Sequence, residues 1–175
     1  KGVIGSLNYF PALRVLESSI RLNEGWAGHR AGQFAFVTSR KSERAHPYTI
    51  ASAWNVNDPR ITFITKALGD HTSRLHERLK VGMPVTVEGP YGCFDFDDEK
   101  PRQIWVGAGI GITPFIARMK QLAMQSGGQV IDLFHSTADF EAAAIDKLTA
   151  DADAAGIKLH VLVDERDGRL DGEKI

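Results

Sequence analysis

The residues most suggestive of chemistry form a glycine-rich segment at the end of an apolar run. Gly107, Gly109 and Gly111 alternate with other residues, and Thr113 and Pro114 follow them. Threonine suits the N-cap of a helix and proline its first turn, so the segment predicts a strand, a tight turn and a helix start. Glycines let the backbone approach a ligand, and free N–H groups at a helix start favour a phosphate. The segment therefore indicates a site for a dinucleotide pyrophosphate.

This segment departs from the usual dinucleotide fingerprint at one position. The usual pattern has its third glycine where this chain has Ile112. An ordinary strand-to-helix turn that binds nothing explains the three glycines about equally well. The glycines alone leave both interpretations open, and a second motif is needed to decide between them.

A second motif, His46-Pro47-Tyr48-Thr49, places an aromatic ring and a hydroxyl at adjacent positions of a predicted strand. Neighbouring residues of a strand point to opposite faces, so Tyr48 and Thr49 share one face only if the strand bends. Taken in isolation, the motif is explained more simply by an edge strand with a surface tyrosine.

Composition and charge exclude several classes of function. The 43% hydrophobic and 25% charged residues are typical of a soluble globular protein, and no apolar run is as long as a membrane span. A net charge of -1 gives no reason to expect a nucleic acid as a partner. The single cysteine, Cys93, excludes a disulfide framework, a cysteine-based iron–sulfur cluster and a cysteine-rich zinc site. The histidines are scattered along the chain, and we expect no metal site.

The positions that must be held together lie in two parts with different predicted folds. Residues 1–98 contain short strands, turn signals and one short helix, which predict an antiparallel β-barrel. Residues 99–175 alternate strands and helices, which predicts a doubly wound parallel sheet and a β + α/β fold class overall. The predicted barrel elements are strands at 10–16, 33–38, 48–53, 61–65 and 84–88 and a helix at 72–80. The later elements are strands at 104–106, 130–134 and 159–163, helices at 114–125 and 139–155, and a charged loop at 164–174.

Together the two motifs resemble those of the ferredoxin–NADP reductase superfamily, especially the cytosolic part of its ferric reductase and NADPH oxidase branch. That superfamily binds FAD with an Arg-x-Tyr-Ser/Thr segment, and the ferric reductase branch reads His-Pro-aromatic-Ser/Thr, as at His46–Thr49 here. The resemblance implies that Tyr48 packs on the isoalloxazine ring and that Thr49 bonds near flavin N5. It places His46 near the FAD phosphates and makes Pro47 part of the same cofactor site.

Two further segments of the barrel part resemble the same superfamily. Thr72 and Ser73 stand at the start of the short helix, where the resemblance implies contact with the FAD pyrophosphate, although a plain helix cap explains them equally. Gly89 belongs to Gly-Pro-Tyr-Gly, which is similar to the family's loop closing the barrel near both cofactors.

The glycine segment also fits the resemblance, because the family's nicotinamide loop reads Gly-x-Gly-x-Gly-x-Thr-Pro. The cofactors implied are FAD and either NADPH or NADH, and Thr113 is expected near the hydride path. Thr49 and Thr113 are the two residues expected beside the reacting atoms. The hydroxyls of Ser136 and Thr137, at the tip of the second parallel strand, slightly favour NADPH over NADH.

The function implied is an NAD(P)H-dependent flavoprotein reductase that passes hydride to flavin and electrons to haem, ferric iron or a carrier protein. One alternative is a non-catalytic flavin- and nucleotide-binding relay subunit that docks to a partner enzyme. Another is a flavin-binding barrel without a working nicotinamide site. Because the chain lacks the family's Cys-Gly-Pro segment and terminal aromatic, we expect a piece of a longer protein with an incomplete second domain. We expect it in the cytoplasm, alone or as the cytosolic part of a membrane protein.

Overall fold

The structure, a computed structural model, describes residues 1–40, 44–125 and 127–175. Its elements form one antiparallel sheet and one parallel sheet with helices, which confirms the predicted fold class. The first part contains β1 (Gly2–Phe10), β2 (Val15–Leu22), β3 (Phe34–Thr38), β4 (His46–Thr49), β5 (Arg60–Lys66), α1 (Asp70–Ser73), α2 (Leu75–Arg78) and β6 (Pro84–Tyr91). The second contains β7 (Arg102–Ala108), a 3-10 turn (Gly109–Ile112), α3 (Thr113–Met124), β8 (Val130–Thr137), α4 (Ala142–Ala155), β9 (Lys158–Val163) and α5 (Asp164–Asp167).

The first sheet closes into a barrel around an apolar core. Its six strands run in the order β4-β3-β6-β1-β2-β5, and a bridge between Ile50 and Phe63 joins the two ends. Alternate residues point inward, as the two-residue period of a strand requires. The buried core side chains are Ile4, Ile20, Leu22, Ala35, Ile50, Ile61, Phe63, Val85 and Val87. Each large one contributes about 1.5–3 kcal/mol by leaving water, which holds the barrel strands in register.

Three predictions for the barrel are wrong in detail. The strand predicted at 48–53 is β4, which begins at His46 and ends at Thr49. Residues 10–16 form the end of β1, a turn and the start of β2 rather than one strand, and Arg14 has a φ of 51° in that turn. Most of β1 and most of β2 were not predicted, because glycines in β1 and polar residues in both strands dilute the apolar pattern. The helix predicted at 72–80 is two four-residue helices, separated at Arg74, where φ is -106° and ψ is 6°.

The second sheet is parallel, with the order β7-β8-β9, and α3 and α4 pack together on one of its faces. Helix α4 ends at Gly156, whose φ of 68° is the left-handed conformation that favours glycine at this position. The buried core side chains are Trp105, Ile112, Ile116, Met119, Leu122, Ile131, Leu133, Leu148, Ala152 and Ile157. A short helix, α5, begins the stretch predicted as a charged loop, so that prediction is partly wrong.

The barrel and the parallel sheet meet along β2, β5 and α4. A cavity of about 100 Å³ lies between them, with mostly apolar walls. Its walls include Phe10, Leu13, Val15, Glu17, Ile64, Lys66, Gly109, Ile110, Ile112, Ile116, His135, Thr137, Ala144, Ile145, Lys147, Leu148 and Asp151. All barrel strands precede residue 98 and all parallel strands follow residue 99, but the division into two domains there stays a prediction.

Candidate functional site

The His-Pro-Tyr-Thr motif forms the whole of β4, and its register with β3 sets the direction of each side chain. Tyr48 pairs with the fully buried Ala35 and lines the inside of the barrel, whereas Thr49 pairs with Phe34. The register between β3 and β4 is unbroken, so the adjacent residues Tyr48 and Thr49 point to opposite faces. A flavin that met both residues would therefore have to reach around the edge of β4.

Tyr48 is held by a histidine that the sequence analysis did not select. The Tyr48 hydroxyl and His71 Nε2 share a hydrogen bond of 3.0 Å. The His71 ring also stacks on His46, with ring centroids 3.6 Å apart and planes 16° from parallel. The three side chains join β4 to α1, so two of the predicted cofactor-binding residues, His46 and Tyr48, are brought together. The only sequence signal for His71 was the position of its ring side chain directly before the predicted helix.

Thr72 and Ser73 lie on α1, which follows β5. Both hydroxyls donate to the Gly69 carbonyl, at 3.2 and 2.8 Å, and Thr72 Oγ1 also accepts from the N–H groups of Leu68 and Gly69. These bonds shape the turn before the helix, which agrees with the simpler helix-cap interpretation. A phosphate could receive these hydroxyl protons only if the bonds to Gly69 were exchanged.

Gly89 lies inside β6 rather than in a loop. Its φ is 147°, and a Cβ there would stand 3.3 Å from Ala35, beside an irregularity in the pairing of β3 and β6. Glycine is therefore needed for the backbone itself. The next aromatic residue, Tyr91, packs against Phe34, and its hydroxyl donates to Glu88 at 2.7 Å, which raises the pKa of Tyr91.

The glycine segment folds as predicted into the end of β7, a tight turn and the start of α3. Gly107 packs inside the fold, since a Cβ there would lie 3.0 Å from Ile112 Cα. Gly109 and Gly111 differ, because a Cβ at either position would meet no protein atom within 4 Å. Gly109 has a φ of 51°, which favours glycine for its conformation, but Gly111 has no such internal reason. The space beside Gly111 is open.

Thr113 and Pro114 hold this turn. Pro114 lies in the first turn of α3, as predicted. Thr113 is not the N-cap, because Ile112 takes that position and the Thr113 hydroxyl instead donates to the Ile110 carbonyl at 2.7 Å. The side chain of Thr113 is only 2% exposed. Its predicted place on the hydride path stays a prediction, and its observed contact positions the loop.

His135, on β8, is a second residue that the sequence analysis did not place in the site. Its ring is buried, and Nδ1 donates to the Gly107 carbonyl at 2.8 Å, just before the open glycines. Burial lowers the pKa of His135, although the bond to Gly107 opposes that shift. A neutral imidazole therefore fastens the first glycine of the loop to the neighbouring strand.

The two candidate sites lie on opposite faces of a single strand, β5. Phe63 and Thr65 line the barrel interior with Tyr48, while Ile64 and Lys66 line the cavity that Gly109 also borders. This alternation is the period of two that a strand imposes. The fold therefore brings the barrel motif and the glycine loop to one shared wall.

Among residues 1–40, 44–125 and 127–175, no group of three or more histidine, cysteine, aspartate or glutamate side chains is arranged to hold a metal ion. Over the same residues, no helix is long and apolar enough to cross a membrane.

Comparison with known proteins agrees with this architecture. Residues 7–94 match the family of FAD-binding domains. The chain is 34% identical over 97 residues to ferric reduction oxidase 5 of Arabidopsis thaliana, a match covering 53% of this chain and 14% of that protein. It is 29% identical over 122 residues to the toluate 1,2-dioxygenase electron transfer component of Pseudomonas putida, covering 68% of this chain and 36% of that protein.

Solved structures share the fold at lower identity. The flavohem-like FAD/NAD binding domain of nitric oxide dioxygenase from Vibrio cholerae O1 biovar El Tor superimposes with a TM-score of 0.76, at 20% identity, over 97% of this chain and 75% of that one. The barrel, the parallel sheet and these matches define an oxidoreductase-type flavoprotein module. The chain belongs to the FAD-binding domain family, and its similarity to a ferric reduction oxidase agrees with the resemblance to the ferric reductase branch that the motifs indicated.

Proposed function

We propose that this chain is the FAD- and NAD(P)H-binding module of a reductase, in which reduced nicotinamide supplies a hydride to FAD. This proposal rests on the open space beside Gly111. The glycine loop that contains Gly111 lies across β5 from the barrel motif. When bound, FAD supplies the step that converts a two-electron donor into single electrons for an acceptor. The residues of the chain bind, orient and shield the two cofactors.

The FAD site is proposed around β4 and α1. Tyr48 would offer a ring held in place by His71, and Thr49 a hydroxyl on the opposite face of the strand. His46, Pro47, Thr72, Ser73 and Gly89 complete the proposed set. The stacked rings of His46 and His71 could carry positive charge toward the phosphates only when protonated, unlike an arginine in the same place.

The nicotinamide nucleotide is proposed to bind at the glycine loop, through Gly107, Gly109, Gly111, Thr113 and Pro114. Two of these residues act on the loop rather than on the ligand. Gly107 is packed under the turn, and the buried Thr113 hydroxyl holds the Ile110 carbonyl. The backbone at Gly109 and Gly111 remains the part that a pyrophosphate would reach, and the start of α3 favours its negative charge.

The choice of coenzyme depends on the carboxyl edge of the parallel sheet. Of the two hydroxyls predicted to accept a 2'-phosphate, that of Thr137 is buried and donates to the Asp139 carbonyl at 2.8 Å. Thr137 also pairs with Val163, so the acidic helix α5 starts alongside the tip of β8. Negative charge disfavours a phosphate and suits ribose hydroxyls, so we propose NADH over NADPH. Steady-state kcat/KM for the two coenzymes tests this choice.

The electron acceptor is proposed from the chemistry of the relatives. A ferric reductase and the electron transfer component of a dioxygenase are both similar to this chain, which spans 14% and 36% of their lengths. Haem in a membrane domain, ferric iron or a carrier protein would each accept single electrons from this module. A place in the cytoplasm, alone or as part of a membrane protein, follows from the same relatives and stays a proposal.

The test is a visible-absorbance titration of the purified chain with FAD, beside Tyr48→Ala and the control Tyr9→Ala on β1. Saturable binding with a shifted flavin band, weakened only in Tyr48→Ala, supports the flavin site. NAD(P)H oxidation with an artificial acceptor then separates the alternatives. A relay subunit would show no turnover without its partner, and a barrel without a nicotinamide site would be insensitive to Gly111→Ala.

A further inference from the structure

An ion pair with a largely buried carboxylate connects the barrel to α4, on the wall of the cavity between the two parts. Glu17, on β2, is only 8% exposed, and its two carboxylate oxygens lie 2.5 and 2.6 Å from Lys147 Nζ. Asn8, on the neighbouring strand, donates to the same carboxylate at 3.2 Å. A carboxylate in this position loses hydration, and only a fixed partner makes that favourable.

The charges around this pair are arranged to keep Glu17 ionised. Burial alone would raise the pKa of Glu17, but the hydrogen bond and charge of Lys147, together with the Asn8 hydrogen bond and the Lys120 charge, lower the pKa overall. Asp151 lies one helical turn beyond Lys147, and burial raises the pKa of Asp151. Lys120, on α3, attracts both carboxylates. Glu17 and Lys147 therefore form the direct, hydrogen-bonded ion pair in this group of charges.

Two weaker polar contacts lie on the same side of the interface. Glu141, just before α4, accepts hydrogen bonds from the N–H groups of Ala12 and Leu13, at 2.9 and 3.4 Å, in the turn between β1 and β2. Lys66, at the end of β5, lies 3.7 Å from Asp139. All three contacts bind residues 139–147 to the barrel.

Apolar packing leaves this interface partly unfilled, which gives the polar contacts their importance. The cavity of about 100 Å³ removes dispersion contacts that would otherwise fix the angle between the two parts. Gly109 and Ile110 of the glycine loop border the same cavity. A small rotation about the interface would therefore move that loop relative to β5.

We propose that the Glu17–Lys147 pair, helped by Glu141, is a latch that fixes the angle between the barrel and the nucleotide-binding part. We call these three residues the interface latch. They are positioning residues, since their hydrogen bonds join the barrel to α4 and the segment before it, and none is made with a residue proposed to bind a cofactor. The inference rests on the proposed function for its effect on hydride transfer, but the angle itself is measurable without any cofactor.

The latch controls hydride transfer through distance. Reacting atoms must come within about 3–3.5 Å, and a displacement of about 1 Å costs on the order of 100-fold in rate. Loss of the pair should slow flavin reduction about 10- to 100-fold at saturating coenzyme while FAD affinity stays within about twofold. Each cofactor site keeps its own shape, and only the distance and angle between the two sites change.

The variants are Lys147→Met, Glu17→Gln and the double variant, with Asp146→Asn as the matched control. Asp146 is the exposed neighbour of Lys147 on α4. Glutamine keeps the shape of Glu17, and methionine keeps most of the lysine stem. Because either single change breaks the same pair, the double variant should lose no more than the worse single variant. The double variant also leaves no unpaired charge at the pair, so it is the variant expected to remain folded.

The geometric readout is the distance distribution between spin labels on Val56→Cys and Asp153→Cys, both exposed, with Cys93→Ser in the background. The protein with an intact Glu17–Lys147 pair should give one narrow distance distribution, and so should Asp146→Asn. The folded double variant should give a broadened or shifted distribution. Equally narrow distributions, or additive losses in flavin reduction, would overturn the latch. If the parent protein neither binds FAD nor oxidises NAD(P)H, the proposed function fails while the label distances still decide on the latch.

Discussion

The proposed flavin site is formed by side chains, whereas the glycine loop is formed by backbone. At β4 and α1, side chains define the site: His46, Tyr48 and His71 form one connected group. At the end of β7 the backbone defines it, and the important property of Gly109 and Gly111 is the space beside them. Cofactor binding at the first site should therefore respond to substitutions that remove side-chain atoms, and binding at the second to substitutions that add them.

The largest effect is expected from adding one methyl group to the loop. Gly111→Ala meets no protein atom within 4 Å, so the fold should keep its melting temperature. The methyl group would occupy the place proposed for the pyrophosphate, and kcat/KM for NAD(P)H should fall roughly 10- to 200-fold with FAD affinity unchanged. Gly172→Ala, also without neighbours, is the matched control in steady-state kinetics. Unchanged kinetics in Gly111→Ala would remove the loop from the site.

Removing atoms from the barrel motif should give the next largest effect. Tyr48→Ala loses the ring proposed to pack on the flavin, and FAD should bind about tenfold more weakly or worse. Tyr48→Phe keeps the ring and loses the hydroxyl that bonds to His71, which predicts a loss of about two- to tenfold. Titration calorimetry measures both. Equal losses in the two variants would show that the hydroxyl, rather than the ring, carries the interaction.

Substitution of His135 should have a smaller effect on coenzyme binding, because His135 contacts the loop only through its hydrogen bond to the Gly107 carbonyl. His135→Ala removes the donor to Gly107 and leaves a buried carbonyl unsatisfied, which costs about 1–3 kcal/mol of stability. The KM for coenzyme should rise while FAD affinity stays the same. His135→Asn can place an N–H near the same position and should recover part of both losses in urea unfolding and kinetics. No recovery would mean that ring packing, not the bond, matters.

The smallest effect is a pH dependence shared by the two parts. Burial lowers the pKa of His29 in the barrel and of His135 in the parallel sheet. The unfolded chain then binds more protons than the folded one, so stability present above the ordinary histidine pKa of about 6.5 is lost as pH falls below it. Melting temperature should drop from pH 7 to pH 5, and less steeply in His135→Asn. The same slope in that variant would assign the dependence to the barrel or to other groups.

The difference between the two regions also decides what the sequence could reveal. Gly109 and Pro114 signal a turn and a helix start by their own backbone preferences, so the strand, the turn and the helix that follows were predictable. The burial of Thr113 and its bond to the Ile110 carbonyl were not, because they depend on how the turn packs. The barrel was predictable as a class, whereas β1 was missed because its apolar residues are interrupted by glycines.

Contacts between distant residues lay beyond the sequence. His71 and Tyr48 are 23 positions apart, and Lys147 and Glu17 are 130 apart. Nothing in the local pattern of a histidine near a helix start or of a glutamate in a strand identifies its partner. Glu17 reads as a solvent-facing residue of an amphipathic strand, whereas in the fold it is buried and contacts Lys147 of α4.

The central claim is that the barrel motif and the glycine loop hold two cofactors that react with each other. Anaerobic mixing of the FAD-loaded protein with NADH, followed by visible absorbance, tests it most directly. We expect rapid bleaching of the flavin band, slower with NADPH and much slower in Gly111→Ala. FAD that stays oxidised with both coenzymes, in a protein that binds both, would contradict the claim.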